Sequence, residues 1–293
     1  MLKVGILSTA KIAREHLIPA GLVAKGVCIQ GIASRSLASA QTVAEHFQIP
    51  ESYGSYDEML ASDSIQLVYI PLPTSQHIEW AIRAADAGKH VLVEKPLALH
   101  ADDIQAVIDA RERNGVIITE AFMVHYHPQW AYMREQIAAG RIGRLRHVQG
   151  AFSYYNRDPD NMRNQVGLGG GGLPDIGVYP TVTTRIATGQ EPISVSAKVE
   201  FDTEFSTDIY ANVHAEFEGF VVFPNPATGR VNISIGLIEA SEIKIYNLMG
   251  ALVHHSLANS KEVEIDVSTL KTGVYSVVVG TSDKYYSTRL VIE

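Results

Sequence analysis

Apolar runs and helical stripes alternate along the first 120 or so residues of this 293-residue chain. Short strand-like runs lie at 3–7, Val27–Ala33, Leu67–Ile70, His90–Glu94 and 116–120. Several have no polar interruption, as expected of parallel strands buried on both faces. Helical patterns between them are clearest at 76–87 and 101–113. In the second, Ile104, Val107, Ile108 and Arg111 make one stripe, and Gly115 stops it after Asn114. This alternation predicts right-handed crossovers and an α/β fold built on a doubly wound parallel sheet.

The pattern then loosens. Residues 144–155 alternate in strand fashion, and 193–201 and 208–217 read as two further strands. After Glu218-Gly219-Phe220 the text changes to short alternating strands with turn signals at regular intervals. They run from Val221 through Glu242-Ile243-Lys244-Ile245-Tyr246-Asn247, 263–267 and Gly273-Val274-Tyr275 to a last strand at 287–292. That spacing predicts a small C-terminal β-sandwich.

Composition narrows the function classes. A 46% apolar and 19% charged chain is that of a globular protein, and no apolar run nears the roughly 18 residues of a membrane span. Net charge is −8 with no basic cluster, which argues against nucleic acid as a partner. The single cysteine, Cys28, sits in an apolar run and reads as core filler. The opening Met1-Leu2-Lys3-Val4-Gly5-Ile6-Leu7 reads as a first strand rather than a secretory leader, an expectation that favours the cytoplasm.

Candidate chemistry gathers where strands end. In His90-Val91-Leu92-Val93-Glu94-Lys95-Pro96, Pro96 cannot donate to a ladder, so the strand stops there. Lys95 is thereby placed at the carboxyl end of a central strand, where open α/β sheets bind ligands. The first turn, Ser8-Thr9-Ala10-Lys11-Ile12-Ala13, has Ser8, Ala10 and Ala13 where a dinucleotide fingerprint has glycines. All three are small, so backbone can still approach a pyrophosphate at a helix N-terminus. After the second strand, Ser34 and Arg35 offer a hydroxyl and a planar fork of donors where an acidic residue would select NAD. They suit a 2′-phosphate, which makes NADP the expected cofactor ahead of NAD. Pro71-Leu72-Pro73-Thr74-Ser75-Gln76-His77 forms a rigid loop feeding a helix, with Ser75 as the expected N-cap.

Two further stretches stand out. Gly169-Gly170-Gly171-Gly172 implies a backbone with unusual φ demands or one pressed close to a ligand. Behind it, Asp175 and Tyr179 are four residues apart, on one face if helical. A carboxylate beside a phenol can tune a proton donor, although such a pair is more often structural. His125 and His127 lack an adjacent carboxylate at ligand spacing, so no metal site is expected and the lining of a polar cleft is the better reading.

Together, 5–13, 71–77, 87–96 with Glu94-Lys95-Pro96, and the glycine run ending at Asp175 and Tyr179 resemble the Gfo/Idh/MocA oxidoreductase family, in the right order and at the right intervals. The likeness is to the branch of dihydrodiol dehydrogenases and glucose–fructose oxidoreductases, which has Tyr where most members have His. It implies a Rossmann domain, then an open-sheet substrate domain, and NAD(P)-dependent hydride transfer to or from a sugar or cyclic polyol hydroxyl. It further implies Tyr179 as general acid/base, Lys95 holding the reacting oxygen and the nicotinamide ribose, and Asp175 orienting substrate hydroxyls or Lys95. The cofactor would meet Ser8, Thr9, Ala10, Lys11, Ile12, Ser34, Arg35, Pro71, Leu72, His77, Glu94 and Lys95. A free phenol titrates near ~10, so a neighbouring cation is needed to make it useful near neutrality. His125 and Thr183 stand where relatives often have Arg and Asp, which leaves the substrate open.

The tail resembles a second family. Pro224-Asn225-Pro226, Ile245-Tyr246-Asn247 with Gly250, Leu270 with Gly273-Val274-Tyr275, and the final basic-apolar strand are similar to the type A C-terminal sorting domain of type IX secretion. The resemblance implies an export address read by the secretion machinery, and a secreted or surface location if it is used. The expected organisation is a Rossmann domain at 1–121, a partial substrate domain at 122–220 and a sorting β-sandwich at 221–293. An interrupted substrate sheet leaves an unpaired edge and an uncovered apolar face. That face supports dimerisation in the family, so a homodimer is admitted and the oligomeric state stays open. The alternative to an enzyme is an inactive nucleotide-binding remnant or cargo whose working part is the tail.

Overall fold

In the computed structural model, which describes residues 1–143, 145, 147–192, 194–217, 220–235, 240–282 and 285–293, the first apolar runs pair as six parallel strands. These are β1 (Leu2–Leu7), β2 (Val27–Ala33), β3 (Glu51–Tyr53), β4 (Leu67–Ile70), β5 (His90–Glu94) and β6 (Ile118–Ala121), in the order β3-β2-β1-β4-β5-β6. The order reverses between β1 and β4, and such a reversal opens a crevice at the strands' carboxyl ends. Crossovers are made by α1 (Ile18–Val23), α2 (Leu37–Phe47), α3 (Tyr56–Leu60), α4 (His77–Asp86) and α5 (Ile104–Asn114). Successive strand residues feed opposite cores. Leu7, Val68, Ile70, Val91 and Val93 point to one face, and Val4, Ile6, Ile29, Ile32 and Tyr69 to the other. Burying each such aliphatic side chain contributes about 1.5–3 kcal/mol, so two-sided burial specifies these strands. Cys28 lies half-buried on β2.

Boundaries differ from expectation at two points, each for a local reason. α5 ends on Gly115 in the left-handed region (φ 62°), as its sequence implies. The Val116 amide then donates to Arg111 O, 3.2 Å, and β6 starts two residues later than expected. Ser75 does not cap α4. It falls inside a 3-10 turn, Thr74–Gln76, whose Gln76 amide donates to Pro73 O, and the helix begins at His77.

The chain divides into two compact units. One comprises 1–123, 154–175 and 200–210, and the other 124–153, 176–199 and 211–293. In the first unit, coil from Tyr154 onward is tied to the 200–210 segment. Arg157 pairs with Asp202 and Glu204 and lies over the Phe205 ring at 4.7 Å. The Asp202 carboxylate in turn accepts from the Glu204 and Phe205 amides.

The second unit holds α6 (Pro128–Ala138), α7 (Val178–Thr188) and the tail. His127 caps α6, its Nδ1 accepting from the Gln129 amide at 3.2 Å. β7 (Ser194–Phe201) and β8 (Asp208–Glu216) form a two-stranded sheet, with Ile193 outside the described residues. The strand expected over 144–155 is not formed by its described residues, and Arg144 and Arg146 lie outside them. Among the described residues β7 and β8 pair only with each other. Val195, Phe201, Ile209 and Val213 are exposed, which is the uncovered apolar face an interrupted sheet implies.

After Glu218 and Gly219, which are outside the described residues, seven strands build the β-sandwich. They are β9 (Phe220–Phe223), β10 (Arg230–Ile235), β11 (Glu242–Asn247), β12 (Leu252–Leu257), β13 (Glu262–Asp266), β14 (Gly273–Gly280) and β15 (Tyr285–Ile292). Sheets β13-β10-β9 and β12-β11-β14-β15 enclose Ile233, Ile243, Ile245, Val277, Val279 and Leu290. The tail motifs have structural roles. Asn225 donates to Arg289 O (2.7 Å) and accepts from the Val291 amide (2.9 Å), fastening the start of the sandwich to β15. Gly250 takes φ 76° in the β11–β12 turn, where Asn247 Oδ1 accepts from the Met249 and Ala251 amides. Tyr275 donates to Lys271 O at 2.7 Å.

Candidate active site

Lys95 follows β5 directly, and its ammonium meets a residue eighty positions later. Nζ lies 3.0 Å from Asp175 Oδ1 and 2.5 Å from Asp175 O. Both side chains are largely buried, 11% and 16% exposed, so the pair sits in a medium where charge interactions are strong. Arg163 Nε donates to the other carboxylate oxygen, Oδ2, at 2.6 Å. Burial alone would push the Asp175 carboxyl up. Arg163 and Lys95 outweigh it and hold the group below its ordinary range. Tyr154 also donates to Asp175, and burial together with that carboxylate pushes its phenol up to about 12. Asp175 is therefore a fixed anion and Tyr154 a fixed donor near neutrality.

The turn carrying Lys95 is anchored from below. Tyr69 donates to Glu94 Oε1 at 2.6 Å, while Glu94 Oε2 accepts from the Lys95 amide at 3.2 Å. Burial and the Glu94 charge push the Tyr69 phenol far up, so it stays a donor. The Lys95–Pro96 peptide is cis. His77, 1% exposed, places Nδ1 2.8 Å from Pro96 O and Nε2 2.8 Å from Leu72 O. It thus staples the β4 loop, Pro71 and Leu72 included, to the β5 exit. Leu97 donates its amide to Glu120 Oε1 at 2.7 Å, fixing the far side of the same turn.

A second cluster lies at the β1 and β2 exits. Ser8 has φ 136°, a conformation that favours glycine, so the turn keeps the shape of a glycine fingerprint without the glycine. Ser8 Oγ accepts from the Ala10 amide at 3.0 Å and bonds the Tyr56 hydroxyl, offsetting part of that strain. Helical backbone begins at Lys11 and Ile12, beyond Thr9 and the small Ala10, with Ala13 fully buried. Its first amides are the donors an anion needs. Burial raises the Tyr56 phenol, against the charge of nearby Arg35. Arg35, Tyr56, Gln76 and Trp80 line an open pocket of about 480 Å³. Ser34 Oγ accepts from the Ser36 amide at 3.3 Å, which folds the Ser34-Arg35 corner beside that pocket. The strained turn, the unencumbered helix start and a cationic, aromatic pocket fit a dinucleotide along β1 and β2.

The structure thus brings Lys95 and Asp175 together, with His77 and Glu94 supporting the turn, and brings Ser8 and Arg35 to one aromatic, Tyr56. Tyr179 belongs to the second unit. There it stands on α7, its ring edge-on to Phe152 at 5.1 Å, and its carbonyl accepts from Thr183 Oγ1 at 2.9 Å. Arg163, Tyr154, Tyr56 and Trp80 escape the sequence reading. Arg163 lies in a short 3-10 turn, Tyr154 in a run whose alternation points to a strand rather than a site, and Trp80 passes for an ordinary apolar position of α4. Among the described residues no group of three His, Cys, Asp or Glu could hold a metal ion, and no helix is long and apolar enough to cross a membrane.

Residues 2–122 match the oxidoreductase family with NAD-binding Rossmann fold, and 130–245 match the GFO/IDH/MocA C-terminal domain. Residues 221–293 match the secretion system C-terminal sorting domain, overlapping the previous match at 221–245. An uncharacterized oxidoreductase of Rhizobium meliloti is 46% identical over 75% of this chain and 66% of its own length. D-xylose 1-dehydrogenase (NADP(+)) 2 of Haloferax volcanii is 36% identical over 85% of this chain and 74% of its own. The chain therefore spans about two thirds to three quarters of these relatives. The crystal structure of KijD10, a 3-ketoreductase from Actinomadura kijaniata with NADP and TDP-benzene, superposes with a TM-score of 0.67 at 23% identity, covering 99% of this chain and 84% of that one. The chain belongs to the Gfo/Idh/MocA oxidoreductase family and carries a C-terminal sorting domain of the secretion-system type.

Proposed function

We propose that this protein transfers a hydride between a nicotinamide dinucleotide, NADP in preference to NAD, and a hydroxyl or carbonyl of a sugar or cyclic polyol. The observation that carries the reading is the Lys95–Asp175–Arg163 cluster at the carboxyl end of β5, its Lys95 and Asp175 largely buried. The bound dinucleotide supplies the hydride donor or acceptor. The rest is done by the chain. Two cations against one carboxylate leave excess positive charge where an alkoxide develops, and such preorganised charge is a large term in catalysis. Asp175, held ionised, orients Lys95 and accepts from substrate hydroxyls. Tyr179 moves the proton at the reacting oxygen. Ser34 and Arg35 hold a 2′-phosphate, and the NADP-dependent relative from Haloferax volcanii, which acts on D-xylose, is consistent with both cofactor and substrate class. We read 1–121 as the cofactor domain, 122–220 as a partial substrate domain and 221–293 as the sorting domain, which would direct the enzyme to secretion or the cell surface.

The test is to titrate the purified protein with NADPH, following nicotinamide fluorescence, and then to assay a panel of sugars and polyols. Saturable binding and turnover are expected. Absence of binding at millimolar NADPH would sink the reading. The exposed β7 and β8 side chains favour a second one, a sorted cargo that binds cofactor without turning over. It predicts NADPH binding with no activity on any panel member, and export of a reporter bearing 221–293 behind a leader.

A further inference from the structure

The glycine run is not pressed against a ligand; the chain itself fills the space its side chains would take. A Cβ at Gly170 would lie 2.5 Å from the carbonyl oxygens of Met162 and Arg163. At Gly171, where φ is 133°, it would collide with Asp208 Oδ1. Asp208, the first residue of β8, reaches into that vacancy and accepts the Leu173 amide on Oδ2 at 2.5 Å. The same turn then bonds the Asp175 amide to Gly171 O at 3.3 Å, and the Gly171 amide to Arg163 O at 2.9 Å. One carboxylate therefore seats the segment from which both Asp175 and its partner Arg163 project. Arg157, through Asp202 and Glu204, holds the loop that delivers Asp208.

We propose that Asp208 is a positioning residue that sets Asp175 against Lys95 and Arg163. Each residue named here, from Lys95 to Asp208, lies upstream of the sorting domain. The catalytic consequence rests on the function proposed above; the positioning itself does not.

The test separates seating from charge. Arg163 and Lys95 are the cations that act on Asp175, Tyr154 bonds its carboxylate, and Asp208 acts on the Tyr154 phenol. Removing the Asp208 charge alone leaves Asp175 between its two cations and does not raise its midpoint, whereas unseating Asp175 from them raises it. The full-length protein is labelled with carboxyl-¹³C aspartate, and Asp175 is assigned by its loss in Asp175→Asn. Asp208→Ala is expected to move the midpoint up, and Asp208→Asn, which keeps an oxygen for the Leu173 amide, to leave it unchanged or lower. NADPH affinity should hold in both. Turnover should fall about 10- to 100-fold in the alanine variant through kcat, as displacements near 1 Å do, and return in the asparagine variant. A midpoint that moves the same way in both variants, or not at all in the alanine variant, overturns the proposal. Should Asp208→Ala fail to fold, an upward shift in Asp208→Asn overturns it, and an unchanged or lower midpoint with intact turnover supports it. A wild type that binds NADPH but turns nothing over removes the oxidoreductase reading, and the Asp175 midpoint still decides this one.

Discussion

Lys95 and Asp175 meet at 3.0 Å across eighty residues of chain, both largely buried, with Arg163 on the second carboxylate oxygen. Stripping one charge from such a pair leaves the other costly to keep. Lys95→Met preserves the length and apolar stem of the side chain while removing its ammonium. Turnover should fall by at least about 10³-fold, since it removes charge stabilisation at the reacting oxygen. NADPH binding should persist, because the Ser8 and Arg35 ends of the cradle are untouched. Steady-state assays beside fluorescence titration check both; a variant retaining more than a few per cent activity would place the chemistry elsewhere.

Asp175 gives the protein an acid-sensitive contribution of definite sign. Its carboxyl titrates below the ordinary value of 3.8 in the folded state. The stabilisation is therefore complete above that value and is lost as pH falls through the depressed one. Urea midpoints recorded from pH 6 down to pH 2 should fall less steeply for Asp175→Asn than for the wild type in the lowest part of the range. Parallel curves would mean that the cluster is not charged as described.

At the other end of the cradle, Arg35→Ala should raise the Kd for NADPH about 10- to 100-fold while leaving NADH nearly unchanged. A charge-assisted hydrogen bond is worth about 1.5–3 kcal/mol, and 1.4 kcal/mol is tenfold. Equal loss for both cofactors would count against a 2′-phosphate at this corner.

His77 lies between Pro96 O and Leu72 O and so holds the turn that Lys95 leaves. His77→Ala removes the ring set between Pro96 O and Leu72 O, with the one hydrogen bond its N–H donates, and leaves a void. A loss of about 2–4 kcal/mol is expected from equilibrium unfolding, with an unchanged m-value. A loss below 1 kcal/mol would show that water replaces the ring.

Much of the parallel sheet was legible because two-sided burial writes an uninterrupted apolar run. Val27–Ala33, Leu67–Ile70 and His90–Glu94 are strands with the bounds their sequence implies. The segment carrying α2, β3 and α3 was not legible, being built of pieces as short as three residues with mixed faces. The run at 144–155 shows the converse error: alternation is a necessary mark of a strand, but a ladder requires a neighbour. At the site, Lys95 could be placed because a strand and a proline bracket it. Arg163, Tyr154 and Asp208 could not, since each acts from coil, a short turn or a strand end through contacts that no periodicity encodes.

The fit of the glycine run to its own surroundings bears on how such a site can diverge. Gly170 and Gly171 have no room for a methyl group, so drift at those positions is closed, and with it any retuning of the Asp175 turn by local substitution. Arg163 is 40% exposed and Tyr154 is exposed as well, while both touch Asp175. New substrate preferences in this lineage would therefore be acquired by exchanging the residues that ring the carboxylate, around a frame that selection cannot loosen.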